Sequence, residues 1–124
     1  EGVTLLRCDL RSEEEIEQVL SETDPELLIH TAALSRPAEC ERDAEQAWEV
    51  NAVGSERLFR VRWSRGVGVF LSTDLLFEGS PGEVCDESAP VSPLSVYARS
   101  KLYAEEALQR LVACGVTLRV ALSY

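Results

Sequence analysis

Tyr97 and Lys101 stand four residues apart in the stretch "SVYARSKLYAEE", residues 95–106. Four residues is about one helical turn, so a phenol and an ammonium share a face. Ala104, Leu108 and Leu111 continue that stripe, which puts Lys101 on the inward side. A buried ammonium is costly unless it is paired or put to use. Beside a phenol it has a use, because positive charge favours phenolate and draws the tyrosine pKa toward working pH. Thr73 ends an apolar run one loop earlier, where its hydroxyl can hold the oxygen that exchanges a proton with Tyr97. Together these residues make an acid/base set for interconverting a carbonyl and an alcohol. A bare Y-x-x-x-K is a short pattern, and its plain alternative is a helix-start aromatic with a lysine snorkelling to solvent. Context favours chemistry: the motif opens a helix, follows a proline-rich loop, and comes after Ser72-Thr73-Asp74.

The elements that must position this set alternate between strand and helix. Residues 3–10, 26–33, 67–73 and 116–124 are apolar runs that predict buried strands. Ser12 and Glu15 have capping-box spacing ahead of Ile16, Val19 and Leu20, and Thr23-Asp24-Pro25 ends that helix. A longer helix is predicted from about Ala38 to Arg62, with Ala44, Ala47, Trp48, Asn51, Ala52, Ser55, Leu58 and Phe59 on one face. The last helix runs from near Tyr97 to about Ala113, and Gly115 ends it. Continuous apolar strands alternating with helices mean an α/β layer structure with a parallel sheet. Ligands in such folds bind beyond the carboxyl ends of the strands, which places Asp9, Ala32, Ala33, Ser72, Thr73, Asp74 and Ser123 along one edge. Asn51 is polar on an apolar face and is expected to bond something buried, and His30 is expected to be packed.

Composition narrows the partners. With 124 residues, 45% apolar and 27% charged, the chain is an ordinary globular sequence of one domain. A formal net charge of −10 argues against nucleic-acid phosphates and anionic membranes, and no apolar run could span a bilayer. Cys8, Cys40, Cys85 and Cys114 are scattered and His30 is the single histidine, so no metal site is expected. Unpaired thiols place the protein in a reducing cytoplasm. The chain begins at Glu1, contains no Met and stops in a strand-like run, as a piece of a longer protein would.

"STDLLFEG" (72–79), "PLSVYARSK" (93–101) with Glu105, "HTAALSRPAECERD" (30–43), "AWEVNAVGS" (47–55) and "CDL" (8–10) together resemble the extended short-chain dehydrogenase/reductases. Within that group they are most similar to the dTDP-4-dehydrorhamnose reductase branch. The resemblance implies a partial Rossmann-type, doubly wound parallel sheet lacking its first two strands and its C-terminal substrate lobe. Residues 1–124 would then be the central part of a single NAD(P)-binding domain. It also implies NADP or NAD as cofactor, a nucleotide-sugar substrate with a 4-keto group, and leaves a homodimer of the parent open. By the same resemblance Tyr97 is the general acid, Lys101 tunes it and bonds the nicotinamide ribose, Thr73 holds the substrate oxygen, and Asp74 contacts the sugar. Asp9 and Leu10 flank the adenine, while Ala32, Ala33, Leu34 and Ser35 line the cofactor's path.

The glycines at 2, 54, 66, 68, 79, 82 and 115 form no G-x-x-G-x-x-G, the loop whose amides meet the pyrophosphate, so this chain alone is expected to be inactive. Leu75 and Leu122 replace a Tyr and a Trp usual in rhamnose-pathway reductases, which opens the choice of sugar. The stretch 30–37 also resembles the regulatory β subunit of methionine adenosyltransferase. The alternatives are therefore a non-catalytic NADP-binding regulator and a nucleotide-sugar epimerase or dehydratase.

Overall fold

Ser12 starts the first helix by accepting a hydrogen bond from the Glu15 amide at 3.2 Å. The Glu15 carboxylate reaches back three residues further than a capping box requires, and accepts from the Asp9 amide at 2.8 Å. The helix, α1 (Glu13–Thr23), ends at Asp24, whose left-handed φ of 35° and amide bond to the Leu20 carbonyl close it before Pro25. The computed structural model describes residues 2–61, 66–78 and 84–121. After α1 come β1 (Leu27–His30), α2 (Pro37–Arg42), α3 (Ala44–Trp48), a π-helical segment (Glu49–Val53) and α4 (Gly54–Arg60). Then follow β2 (Val67–Thr73), a 3₁₀ turn (Asp74–Leu76), α5 (Val96–Leu111) and β3 (Gly115–Val120).

Among the described residues the sheet has three parallel strands in the order β1-β2-β3. Leu27 pairs with Val67 and His30 with Phe70, while Gly68 pairs with Gly115 and Thr73 with Val120. The α/β class and the partial, parallel character of the sheet are as the sequence implies. The core lies on one face of the sheet. Phe70, Ile16 and Leu108 are fully buried there, with Phe59, Leu58, Leu20, Ala104 and Ala107. The opposite face leaves Leu27, Ile29, Val116, Leu118 and Val120 between 41% and 55% exposed.

Two expectations fail. Residues 3–8 are not a strand: they have no regular structure and are exposed, with Val3 and Leu5 each at 91%. An apolar run becomes a strand only when a neighbouring strand accepts its hydrogen bonds, and none of the described strands lies beside it. The long helix is also not continuous. Asp43 breaks it by capping α3 through the Gln46 amide at 3.0 Å, and the π-helical segment then shifts its phase by a residue. As a result Ala47, Asn51, Ala52, Ser55, Leu58 and Phe59 are buried, while Ala44 and Trp48 are exposed. The expected helix end at Arg62 and the positions of Leu122 and Ser123 lie outside the described residues.

Candidate functional site

Three backbone segments converge at the carboxyl end of the sheet: residues 31–35 after β1, the 3₁₀ turn after β2, and the first turn of α5. α5 packs against the 3₁₀ turn, α2 and α3. Its first turn is fixed twice, by Ser95 accepting from the Ala98 amide at 3.0 Å and by the Glu41 carboxylate accepting from the Val96 amide at 2.6 Å. Tyr97 is thereby buried in a small cluster with Cys40 and Ala47, against Leu34 and Val96. Burial first, then Cys40 and the Asp74 carboxylate, push its phenol above the ordinary range. Tyr97 therefore keeps its proton at neutral pH, which is the form an acid needs.

Lys101 is buried at 2% exposure, one turn further along α5. Its ammonium stands over the Phe70 ring, 4.0 Å from the centroid. Burial lowers its pKa to about 8, with Glu105 pulling the other way. The expected direct lowering of the Tyr97 phenol by Lys101 is not what these charges do: the ammonium is seated on β2, and the groups that act on the phenol are its wall, Cys40 and Asp74. The chain holds one lysine against eleven arginines. Lysine, unlike arginine, can lose its proton when buried.

Thr73 is buried at the end of β2 and already has local work. Its Oγ1 accepts from the Leu75 amide at 3.2 Å, capping the 3₁₀ turn, and lies 3.4 Å from Asp74 Oδ1 as a long, weak donor. Asp74 is exposed beside it. Ser72, on the same strand face as Phe70, has a buried Oγ with no hydrogen-bond partner.

Ala32 is exposed and Ala33 half-buried, so the chain after β1 presents little side chain to a flat ligand. This segment is fixed from below by Asn51 in the π-helical segment. Asn51 Oδ1 accepts from the Leu34 amide at 2.8 Å, and its Nδ2 donates to the Leu34 carbonyl at 3.0 Å. Cys40 Sγ donates to the same carbonyl at 3.2 Å. Asn51 Nδ2 also donates to Ser100 Oγ at 3.2 Å, and Ser100 Oγ donates to the Tyr97 carbonyl at 2.7 Å. One buried amide thus ties the segment 31–35 to the helix that carries Tyr97, and π-helical turns recur at such places. The Asn51 carbonyl accepts from Ser55 Oγ at 2.6 Å. That commits the Ser55 proton, so the 2.8 Å contact with His30 is donated by His30 Nε2. Burial first, then Lys101, lowers the His30 pKa to about 4, so His30 is a neutral, packed residue between Phe59 and Phe70.

Asp9 and Leu10 stand apart from this corner, beside the π-helical segment. Arg11 forks onto Asp9, donating from its amide at 2.9 Å and from Nη2 at 2.7 Å, and these bonds lower the carboxyl pKa to about 2. Leu10 packs against Gly54, where an added Cβ would lie 2.9 Å from Leu10 Cβ and 3.1 Å from its carbonyl oxygen. Ser35 is exposed beyond Leu34. Tyr97 thus packs against Leu34 and feels the Asp74 carboxylate, Thr73 adjoins Asp74, and Lys101 stands over Phe70, with Ala32, Ala33 and Ser35 on the segment of Leu34. Reasoning from types and spacing missed Ser100, Cys40 and the pair Glu105–Arg119. Its one available signal was a carboxylate at 105 on the inward stripe of α5. All four cysteines are unpaired, no cluster of described His, Cys, Asp and Glu residues is placed for a metal, and no described helix is long and apolar enough to cross a membrane.

The fold is that of a partial Rossmann-type α/β domain. The chain belongs to the RmlD substrate binding domain family, whose model matches residues 2–124. Among curated relatives, methionine adenosyltransferase 2 subunit beta of Xenopus laevis is 34% identical over 94% of this chain and 35% of that protein. The structure of dTDP-4-dehydrorhamnose reductase from Bacillus anthracis in complex with NADP is 27% identical, with a TM-score of 0.85 over 94% of this chain and 42% of that one. The Thermus thermophilus UDP-glucose 4-epimerase complexed with NAD is 31% identical, with a TM-score of 0.88 over 96% of this chain and 41% of its own. The chain therefore spans well under half the length of these proteins.

Proposed function

We propose that this chain is the central part of the NAD(P)-binding domain of a nucleotide-sugar reductase, and that the parent protein reduces a 4-keto sugar. The observation that carries the reading is the burial of Tyr97 and Lys101 one turn apart at the start of α5, beside Thr73 at the end of the neighbouring strand. Supporting it are the family match and the likeness to an NADP-bound dTDP-4-dehydrorhamnose reductase.

The residues suit part of a dinucleotide site. Ala32, Ala33, Leu34 and Ser35 would line the cofactor's path, and Lys101 would bond the nicotinamide ribose. The sequence has no glycine-rich loop for the pyrophosphate, so that part of the grip is assigned to the remainder of the parent. When bound, the nicotinamide supplies the hydride. In this reading Thr73 holds the sugar's carbonyl oxygen, and Asp74 orients the ring from the exposed side. Tyr97 delivers its proton from Oη to that oxygen as it becomes a hydroxyl. In this reading the Lys101 ammonium, which stands over Phe70 in the free chain, turns toward Tyr97 Oη during the reaction and stabilises the phenolate left behind. Asp9 and Leu10 would meet the adenine end, with Arg11 sharing the Asp9 carboxylate.

In the parent protein, Tyr97→Phe is expected to lower turnover of a nucleotide 4-keto sugar by about 10²- to 10⁴-fold, followed by loss of NADPH absorbance. Turnover within a few-fold of wild type would remove the catalytic assignment. The Xenopus relative motivates a second reading, a regulatory subunit. That reading expects no turnover from the unsubstituted parent, together with saturable association with a methionine adenosyltransferase catalytic subunit.

A further inference from the structure

Glu105 follows Lys101 by one turn on α5, on the same inward stripe, and is buried at 2% exposure. A carboxylate taken out of water seeks a cation, and the nearest helical neighbour able to supply one is Lys101 at i−4. Lys101 nevertheless makes no ion pair with a described carboxylate and stays over Phe70. The reason lies on β3. Arg119 donates from Nε to Glu105 Oε1 at 3.1 Å and to Oε2 at 3.2 Å, and from Nη2 to Oε2 at 2.7 Å. Its guanidinium also lies 5.2 Å from the centroid of Phe77, the residue that follows the turn capped by Thr73. In register, Arg119 sits beside Ser72 on β2, the residue whose buried Oγ has no partner.

We propose that Arg119 is a positioning residue: by forking onto Glu105 it holds that carboxylate off Lys101, leaving the ammonium free above Phe70 for the Tyr97 corner. The same fork braces α5, which carries Tyr97 and Lys101, against the segment that carries Thr73. This rests on the reading of Lys101 as the partner of Tyr97. A side chain that served stability alone would not need to withhold an anion from the chain's single lysine. The charged and titratable groups that bear on Lys101 are Glu105 of α5, His30 of β1 and, through Glu105, Arg119 of β3.

One lysine gives one side-chain signal, so the ε-methylene of Lys101 can be titrated by carbon NMR in the 124-residue chain without any turnover. Wild type is expected to titrate clearly below the ordinary lysine value of about 10.4. Arg119→Gln releases Glu105 onto the ammonium and is expected to raise the midpoint by one unit or more, with amide dispersion retained. Glu105→Gln removes the anion while Arg119 remains, and is expected to lower the midpoint below wild type. The double substitution is expected to return it toward wild type. An unchanged or lowered midpoint in folded Arg119→Gln overturns the proposal. If Arg119→Gln unfolds, seen as lost amide dispersion, Glu105→Gln decides, because unfolding could only move its midpoint upward. Should the titrations come out as stated while the parent shows no turnover, the brace stands and the reductase reading falls alone.

Discussion

The two faces of the sheet are built from the same kind of residue and meet opposite fates. On the helical face Phe70 and His30 lie under Phe59, Lys101 and α5, with a chain of hydrogen bonds running from His30 through Ser55 and Asn51 to Leu34 and Ser100. On the other face Ile29, Leu118 and Val120 are equally apolar and lie 55%, 45% and 41% exposed. A parallel sheet ordinarily carries helices on both faces, so the residue pattern of β1, β2 and β3 encodes two layers where the described chain supplies one. Apolar character marks what must be covered, but which face is covered is decided by the helices at hand.

That difference can be broken from the packed side. Phe70→Ala leaves a hole beneath Lys101 and between two aromatic rings, and is expected to cost about 3–5 kcal/mol in urea unfolding. Loss under 1 kcal/mol would mean that the core does not centre on β2. His30 offers a pH test of the same face. Its folded pKa of about 4 lies below the ordinary 6.5, so the unfolded chain binds the extra proton. Stability from this group is complete above about pH 6.5 and declines as pH falls toward 4. His30→Leu is expected to flatten that slope in urea midpoints taken between pH 7 and 4.5, and an unchanged slope would assign acid sensitivity elsewhere. Asn51→Ala leaves the Leu34 amide and carbonyl short of partners and is expected to cost about 1–3 kcal/mol. Faster amide exchange at Leu34 and Ser100 should accompany it, and exchange that stays slow would show that the clamp is redundant. The smallest effect is predicted on the bare face, where Leu118→Thr should change stability by less than about 0.5 kcal/mol. A loss above 2 kcal/mol there would reveal a cover over that face.

Sequence periodicity is strongest where both halves of a contact are local. The Ser12 cap, the Asp24-Pro25 stop and the stripe Ala104, Leu108, Leu111 could all be read, because each depends on neighbours within a turn. Residues 3–8 could not, since their apolar pattern needs a strand beside them to become one. The division of the long helix also escaped, because a π-helical segment changes the phase by one residue and leaves the composition untouched. At the candidate site, the inward placement of Lys101 on α5 was legible from spacing. The seat of the ammonium on Phe70 was not, because the ring comes from a strand 31 residues earlier. Glu105–Arg119 was hidden for the same reason, its partners lying 14 residues apart on different elements.

The single lysine gives α5 a built-in lock. A protease that cuts only after lysine has one place to act, the bond between Lys101 and Leu102, in the first half of a buried helix. In the closed fold that bond cannot enter a protease's extended cleft, so cutting waits for α5 to lift away from β2. Digestion should give two pieces, residues 1–101 and 102–124, and nothing smaller. The rate at which they appear counts how often the corner holding Tyr97 comes apart.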